Sequence, residues 1–170
     1  KSMILKQHKN YYFGFFGKQL ILEKNLKVPL NCAFDKGSKY AEVKKSRDIV
    51  SNLFDNKKII FVNQIHSSKI IIYDKKINTN VRADGIITKN KDVLLGILTA
   101  DCAPIIITGE EYFGILHVGW RGLVGNIIKN AVNLLIKFGE KSSKISFFVG
   151  PHLRANSFEV KSDFIKKIKI

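Results

Sequence analysis

Residues 100–139 read ADCAPIIITGEEYFGILHVGWRGLVGNIIKNAVNLLIKFG, and the fold class turns on this stretch. Pro104–Thr108 and Tyr112–Val118 are short runs rich in β-branched and aromatic side chains, divided by Gly109-Glu110-Glu111. Such runs suit a pleated, half-buried surface, so two strands with a tight connection are predicted. After Gly119-Trp120-Arg121-Gly122 the pattern changes. Val124, Ile127, Ile128, Ala131, Leu134, Leu135 and Phe138 recur at steps of three and four. That spacing gives one apolar helical stripe, and Gly139 is placed to end it.

Outward from this stretch, strands are predicted at Tyr11–Phe16, Gln19–Leu22, Ile59–Asn63, Lys69–Tyr73, Leu94–Thr99 and Ile145–Val149. Ser38–Phe54 reads as a charged helix with spaced apolar residues, and Ser162–Ile170 begins like an amphipathic one. Several strands, two helices and mixed connections predict an α+β sandwich, a mixed β-sheet with flanking helices. At 170 residues the chain is expected to be one domain spanning 1–170. An apolar content of 45 % supplies a real core and argues against disorder. No apolar run approaches the roughly 18 residues of a membrane span, so no membrane partner is expected. Tyr11–Leu22 is interrupted by Lys18 and lacks a small-residue cleavage site, so no signal peptide is expected, and the cytoplasm is the expected compartment. Two cysteines, Cys32 and Cys102, make no disulfide scaffold.

The formal charge of +15 invites a nucleic-acid reading. Only Arg47, Arg82, Arg121 and Arg154 are arginines, however, so 25 of the 29 cations are lysines, and these are scattered. A solvated lysine coat that helps attract anionic substrates is the simpler interpretation. A basic nucleic-acid-binding module remains an alternative, to be recognised by binding that falls steeply with salt.

Three residues that can bind metal sit at the ends of predicted strands. His66 follows Gln64-Ile65, Cys102 lies in Thr99-Ala100-Asp101-Cys102-Ala103-Pro104, and His117 closes a strand just before Gly119. If they converge, two imidazoles and a thiolate leave a fourth position open, the composition of a catalytic zinc site. Copper is the less favoured ion, because the lone methionine is Met3 and a multicopper cluster needs more imidazoles than four histidines provide. A small cysteine between apolar strands is also an ordinary core residue, and spacings of 36 and 15 residues match no compact zinc motif. A metal-free alternative uses Cys102 as nucleophile, His117 or His66 as base and Asp101 or Asp84 as orienter. Asp84 and Asp101 are each open to a general acid/base role or to orienting a ligand histidine. The Gly119–Gly122 turn offers backbone N–H groups and Arg121 to an anion, or is simply a tight strand–helix turn with Trp120 in the core.

Taken together, Gln64-Ile65-His66, Ala83-Asp84-Gly85, Thr99–Pro104 and His117-Val118-Gly119-Trp120-Arg121-Gly122 resemble the laccase-domain family. That family was once called multicopper polyphenol oxidase and is now regarded as purine nucleoside phosphorylases. The likeness spans about Asn31 to Val160, with Leu30-Asn31 and Ser46-Arg47 as weaker positions and Ser67 where the family has a small residue or glycine. The resemblance implies a zinc site made by His66, Cys102 and His117. It implies phosphorolysis of adenosine, inosine and methylthioadenosine, with adenosine deamination as a further activity. Phosphate would be held by Arg121, helped by Arg47, with Asn31 a further substrate position. The implied fold is the cysteine-hydrolase-like, YfiH-like sandwich related to certain toxins. Peptidoglycan-precursor editing, a polyphenol oxidase and an inactive domain stand as alternatives. The family usually continues past the position of Ile170, so a C-terminally shortened domain is expected. The oligomeric state is left open.

Overall fold

The structure is a computed structural model that describes residues 3–21, 27–74, 81–159, 164, 165 and 168. In chain order the first elements are β1 (Met3–His8), β2 (Tyr11–Phe16), β3 (Gln19–Ile21), β4 (Lys27–Pro29), α1 (Tyr40–Asn52) and β5 (Lys58–Phe61). Then come β6 (Ile70–Ile72), β7 (Gly85–Thr88), β8 (Val93–Gly96), β9 (Ala103–Thr108) and β10 (Phe113–Val118). The chain continues with α2 (Trp120–Val124), α3 (Ile127–Lys137) and β11 (Ser146–Val149). These elements group into two compact units, Lys1–Ile60 with Asn90–Leu98, and Phe61–Lys89 with Thr99–Ile170.

The second unit is built on a five-stranded sheet in the order β11-β9-β10-β7-β6. Its central pairs are antiparallel, whereas β6 runs parallel to β7, so the sheet is mixed as the sequence predicts. Strand alternation sends Ile105 and Ile107 of β9, Leu116 and Val118 of β10, and Ile87 of β7 to one face. There they meet Ile127, Ala131 and Leu135 of α3 in a single apolar cluster. A fully buried aliphatic side chain contributes roughly 1.5–3 kcal/mol. The Ile87–Ile107–Leu116–Leu135 set, each residue 0 % exposed, therefore anchors the helix to the sheet.

In the first unit β1 and β2 form an antiparallel hairpin, β3 pairs with β4, and β5 with β8. Leu30, Val50 and Phe54 make its core with Phe16, Ile49 and Ile59 packed against them.

The α+β expectation holds, and several boundaries move. Lys69–Tyr73 contracts to β6 and Leu94–Thr99 becomes β8, ending at Gly96 before an irregular stretch that leads to Cys102. The predicted helical stripe does not begin at Val124. That residue is 53 % exposed and ends the short α2, and α3 starts afresh after Asn126 in the left-handed region at φ 61°. Phe138 leaves the sheet interface and stacks on Tyr112, ring centroids 4.9 Å apart. Strands β1, β4 and β7 were not predicted. Leu22 and most of the predicted C-terminal helix lie outside the described residues; Phe164 and Ile165 are helical. Both cysteines are free thiols. Among the described residues no helix is long and apolar enough to cross a membrane.

Candidate metal centre

The register of the central strands sets the site. Leu116 of β10 pairs with Gly85 of β7, so the next positions outward, His117 and Asp84, face one another; the His117 N–H donates to the Asp84 carbonyl at 2.7 Å. On the other side of β10, His117 pairs with Pro104 and Val118 with Ala103, which puts Cys102 one residue beyond the end of β9. Alternation along the strand carries Cys102 to the face that His117 occupies. The Cys102 turn is held by a hydrogen bond from the Thr99 hydroxyl to the Cys102 carbonyl and by Leu153 N–H donating to the Asp101 carbonyl at 2.9 Å.

His66 arrives from a different direction. Asn63 bridges to Arg82, and the N–H groups of Asp84 and Gly85 donate to the Lys69 carbonyl at 2.9 and 3.1 Å. The loop between these anchors wraps round the Asp84 side chain. His66 itself adopts φ 56°, in the left-handed region that non-glycine residues seldom visit. The donor atoms of His66, Cys102 and His117 all lie within 4.8 Å of one another, and the two imidazoles meet edge to face at 4.8 Å between centroids. His117 is buried, Cys102 half-buried and His66 exposed, so the cluster opens to solvent on one side.

Asp84 is fully buried. Burial pushes its carboxyl upward, but hydrogen bonds from His117 and from Ser67 and His66 outweigh that and hold it below the usual carboxylate range. The shift at Cys102 runs the other way. Burial, and then the charges of Asp101 and Asp84, push its thiol above the ordinary value. A thiol whose ionisation is opposed by burial and by two carboxylate charges is a poor free nucleophile, and the same negative charge favours a positive ion beside it.

Three observations test whether the cluster suits a metal. The donor set is two nitrogens and a sulfur, which zinc accepts. His117 Nδ1 is taken by Asp84 Oδ1 at 2.9 Å, which leaves Nε2 for the cluster. Gly119 caps the site from the end of β10, and a Cβ there would stand 3.0 Å from Cys102 Sγ and 3.4 Å from a His66 ring carbon. The residues fit.

Of the other predicted residues, Asp101 is exposed beside Cys102. Arg121 is exposed on α2 with its guanidinium 4.3 Å over the Trp120 ring, whose edge in turn meets Phe164. Arg47 and Asn31 belong to the first unit. Arg47 donates through Nε and Nη2 to the Cys32 carbonyl at 2.9 and 2.7 Å and lies over the Phe34 ring. Asn31 accepts from Ala33 N–H and donates to the Ser38 hydroxyl, while its own N–H donates to Ser46 Oγ at 3.1 Å. The weak likeness at Leu30-Asn31 and Ser46-Arg47 thus marks one hydrogen-bonded corner. Ser67 had no assigned role, yet its hydroxyl donates to Asp84 Oδ2 at 2.8 Å. A hydroxyl residue directly after a ligand histidine was the available signal.

A family model described as multi-copper polyphenol oxidoreductase laccase matches residues 14–169. A purine nucleoside phosphorylase of Rickettsia prowazekii is 30 % identical over 161 residues, covering 94 % of this chain and 65 % of that protein. One of Campylobacter jejuni is 35 % identical over 156 residues, covering 88 % and 69 %. A protein named adenosine deaminase RL5, from an unknown prokaryotic organism, is 27 % identical and covers 65 % of this chain and 47 % of that one. Among solved structures, the Neisseria meningitidis protein NMB0706 superposes with a TM-score of 0.78 at 22 % identity, over 99 % of this chain and 72 % of that one. The Bacillus licheniformis protein YfiH gives 0.76 at 23 %, over 83 % and 58 %. At these identities the structural likeness is one of fold. The chain spans roughly two thirds of the length of the first two relatives.

Proposed function

This chain belongs to the family described as multi-copper polyphenol oxidoreductase laccase, and from that premise we propose that it is a metal-assisted purine nucleoside phosphorylase. The observation that carries the reading is the convergence of His66, Cys102 and His117 in a chain whose relatives bear that name. The substrates are a purine nucleoside (adenosine, inosine or methylthioadenosine) and phosphate; the products are the free base and ribose 1-phosphate. Zinc suits the donor set better than copper, since among the described residues a single grouping of three such ligands occurs. When bound, zinc supplies Lewis-acid polarisation of a substrate atom, and the deaminase name of one relative keeps adenosine deamination as a second activity of the same centre.

In phosphorolysis a phosphate oxygen bonds to ribose C1′ while the C1′–N9 electron pair departs with the purine, which takes up a proton. Arg121 is assigned to the phosphate. A guanidinium lying over an aromatic ring keeps N–H donors for a second partner, and its fork matches two phosphate oxygens. Asp101, exposed on the Cys102 turn, is assigned to proton exchange with the leaving base. Asp84 is excluded from that role because both its oxygens already accept hydrogen bonds inside the protein. Arg47 and Asn31 shape the loop that precedes α1 in the first unit. The raised thiol of Cys102 counts against the nucleophile reading and the hydrolase that would follow from it.

The test combines metal analysis of the purified chain with release of free purine in phosphate buffer. About one zinc per chain is expected, with activity lost on chelation and restored by zinc. Purine release that persists after the metal is removed, or a chain that takes up no zinc, would overturn the proposal.

A further inference from the structure

We propose that Asp84 is the positioning residue of the metal centre, one carboxylate that sets two of the three ligands at once. The inference rests on the metal-binding part of the function proposed above and deepens it. Asp84 Oδ1 accepts from His117 Nδ1 and from His66 N–H, each at 2.9 Å. Oδ2 accepts from Ser67 N–H at 2.6 Å and from the Ser67 hydroxyl at 2.8 Å. Ile65 N–H is shared between the oxygens at 3.2 and 3.3 Å. The carboxylate is 0 % exposed, so no face of it is left for a substrate.

These bonds do two separate jobs. Acceptance from His117 Nδ1 fixes the proton there and leaves the lone pair on Nε2, the tautomer a metal needs. Acceptance from three successive N–H groups, of Ile65, His66 and Ser67, holds the loop in the turn that gives His66 its φ of 56°. Without that anchor a left-handed histidine would relax toward an unstrained backbone. The Ser67 hydroxyl also accepts from Lys69 N–H at 3.2 Å, tying the loop to the residue whose carbonyl holds Asp84 N–H.

Asp84→Asn keeps the volume but turns one oxygen into a donor. An NH2 facing His117 drives the ring to the tautomer with its proton on Nε2; an NH2 facing the loop opposes the Ser67 N–H. Ser67→Ala removes two hydrogen bonds, the one donated to Asp84 Oδ2 and the one accepted from Lys69 N–H, and leaves every ligand in place. Zinc affinity is measured for wild type and both variants by competition with a chromophoric chelator, and the cobalt-substituted proteins are compared by their d–d and thiolate charge-transfer bands. Asp84→Asn is expected to weaken zinc by about 10–100-fold and to shift the cobalt bands. Ser67→Ala should cost about threefold to tenfold, and it keeps the inference testable if the buried asparagine prevents folding. A merely structural carboxylate would lower the melting temperature and leave the cobalt spectrum unmoved. Unchanged zinc affinity in a folded Asp84→Asn protein, or in Ser67→Ala when the former does not fold, overturns this inference alone. Wild type that binds neither metal overturns it together with the proposed function.

Discussion

The sulfur of Cys102 is half-buried and feels the charges of Asp101 and Asp84, and that environment separates the two chemistries open to it. A nucleophilic cysteine needs its thiolate favoured near neutral pH by a cation, a histidinium or a helix N-terminus. Here burial comes first, and the charges of Asp101 and Asp84 add to it, so the thiol is raised rather than lowered. Cys32, the other sulfur, is also raised by burial, which Arg47 opposes. A raised pKa means that both remain protonated through neutral pH and ionise only above it. Alkylation of the metal-free chain by iodoacetamide should therefore be slow at pH 7 and still climbing above pH 9, with a midpoint beyond that of an ordinary thiol at about 8.5. A fast-reacting thiol with a midpoint at or below 7, mapped to Cys102 by mass spectrometry, would restore the nucleophile.

Elements were legible where their period was long or their composition strong. The stripe of α3 and the isoleucine runs of β9 and β10 are of this kind, because burial on a sheet or helix face leaves a repeat in the sequence. β7 left none. It has four residues, all buried and so without alternation, and it opens on Asp84-Gly85, which reads as a turn. The break between α2 and α3 was hidden for a similar reason, since it rests on the backbone of Asn126 and not on a proline or a loss of apolar residues. Another device joins distant elements without a motif. The Glu140 carboxylate, just past α3, accepts the N–H groups of Glu110, Glu111 and Tyr112 at 2.6–2.7 Å and so clamps the β9–β10 connection. It is 6 % exposed, and Gly109 leaves it room, for a Cβ there would lie 2.3 Å from the carboxyl carbon. Glu140→Gln would aim an amide N–H at these donors. Leaving them unsatisfied should cost about 1–3 kcal/mol by denaturant titration, whereas the exposed Glu111→Gln should stay within about 0.5 kcal/mol of wild type. Equal stability of the two variants would show that the clamp contributes nothing.

For the molecule as a whole, spacing alone could not show that His66, Cys102 and His117 meet; the family resemblance implied it. The reason lies in the strand order: β9, β10 and β7 are neighbours, so residues separated by 15 and 33 positions in sequence become adjacent at one sheet end. His117 lies in β10 and Cys102 directly before β9, whereas His66 comes from a separate loop, and its position depends on a buried carboxylate that no periodicity reveals. The same tertiary origin makes the site a test of the fold. A ligand held by three separated segments binds the native chain and not the unfolded one, so it must stabilise the unit that carries it. At a free zinc concentration of one hundred times Kd the gain is about 2.7 kcal/mol. For a chain of 170 residues that corresponds to about 5–10 °C in the midpoint of unfolding. Scanning calorimetry with and without zinc should record that rise in wild type and none in Cys102→Ser, where the thiolate is replaced by a poor ligand. An equal rise in both proteins would place the bound zinc on the lysine-coated chain's other histidines or its carboxylates and away from the His66–Cys102–His117 cluster.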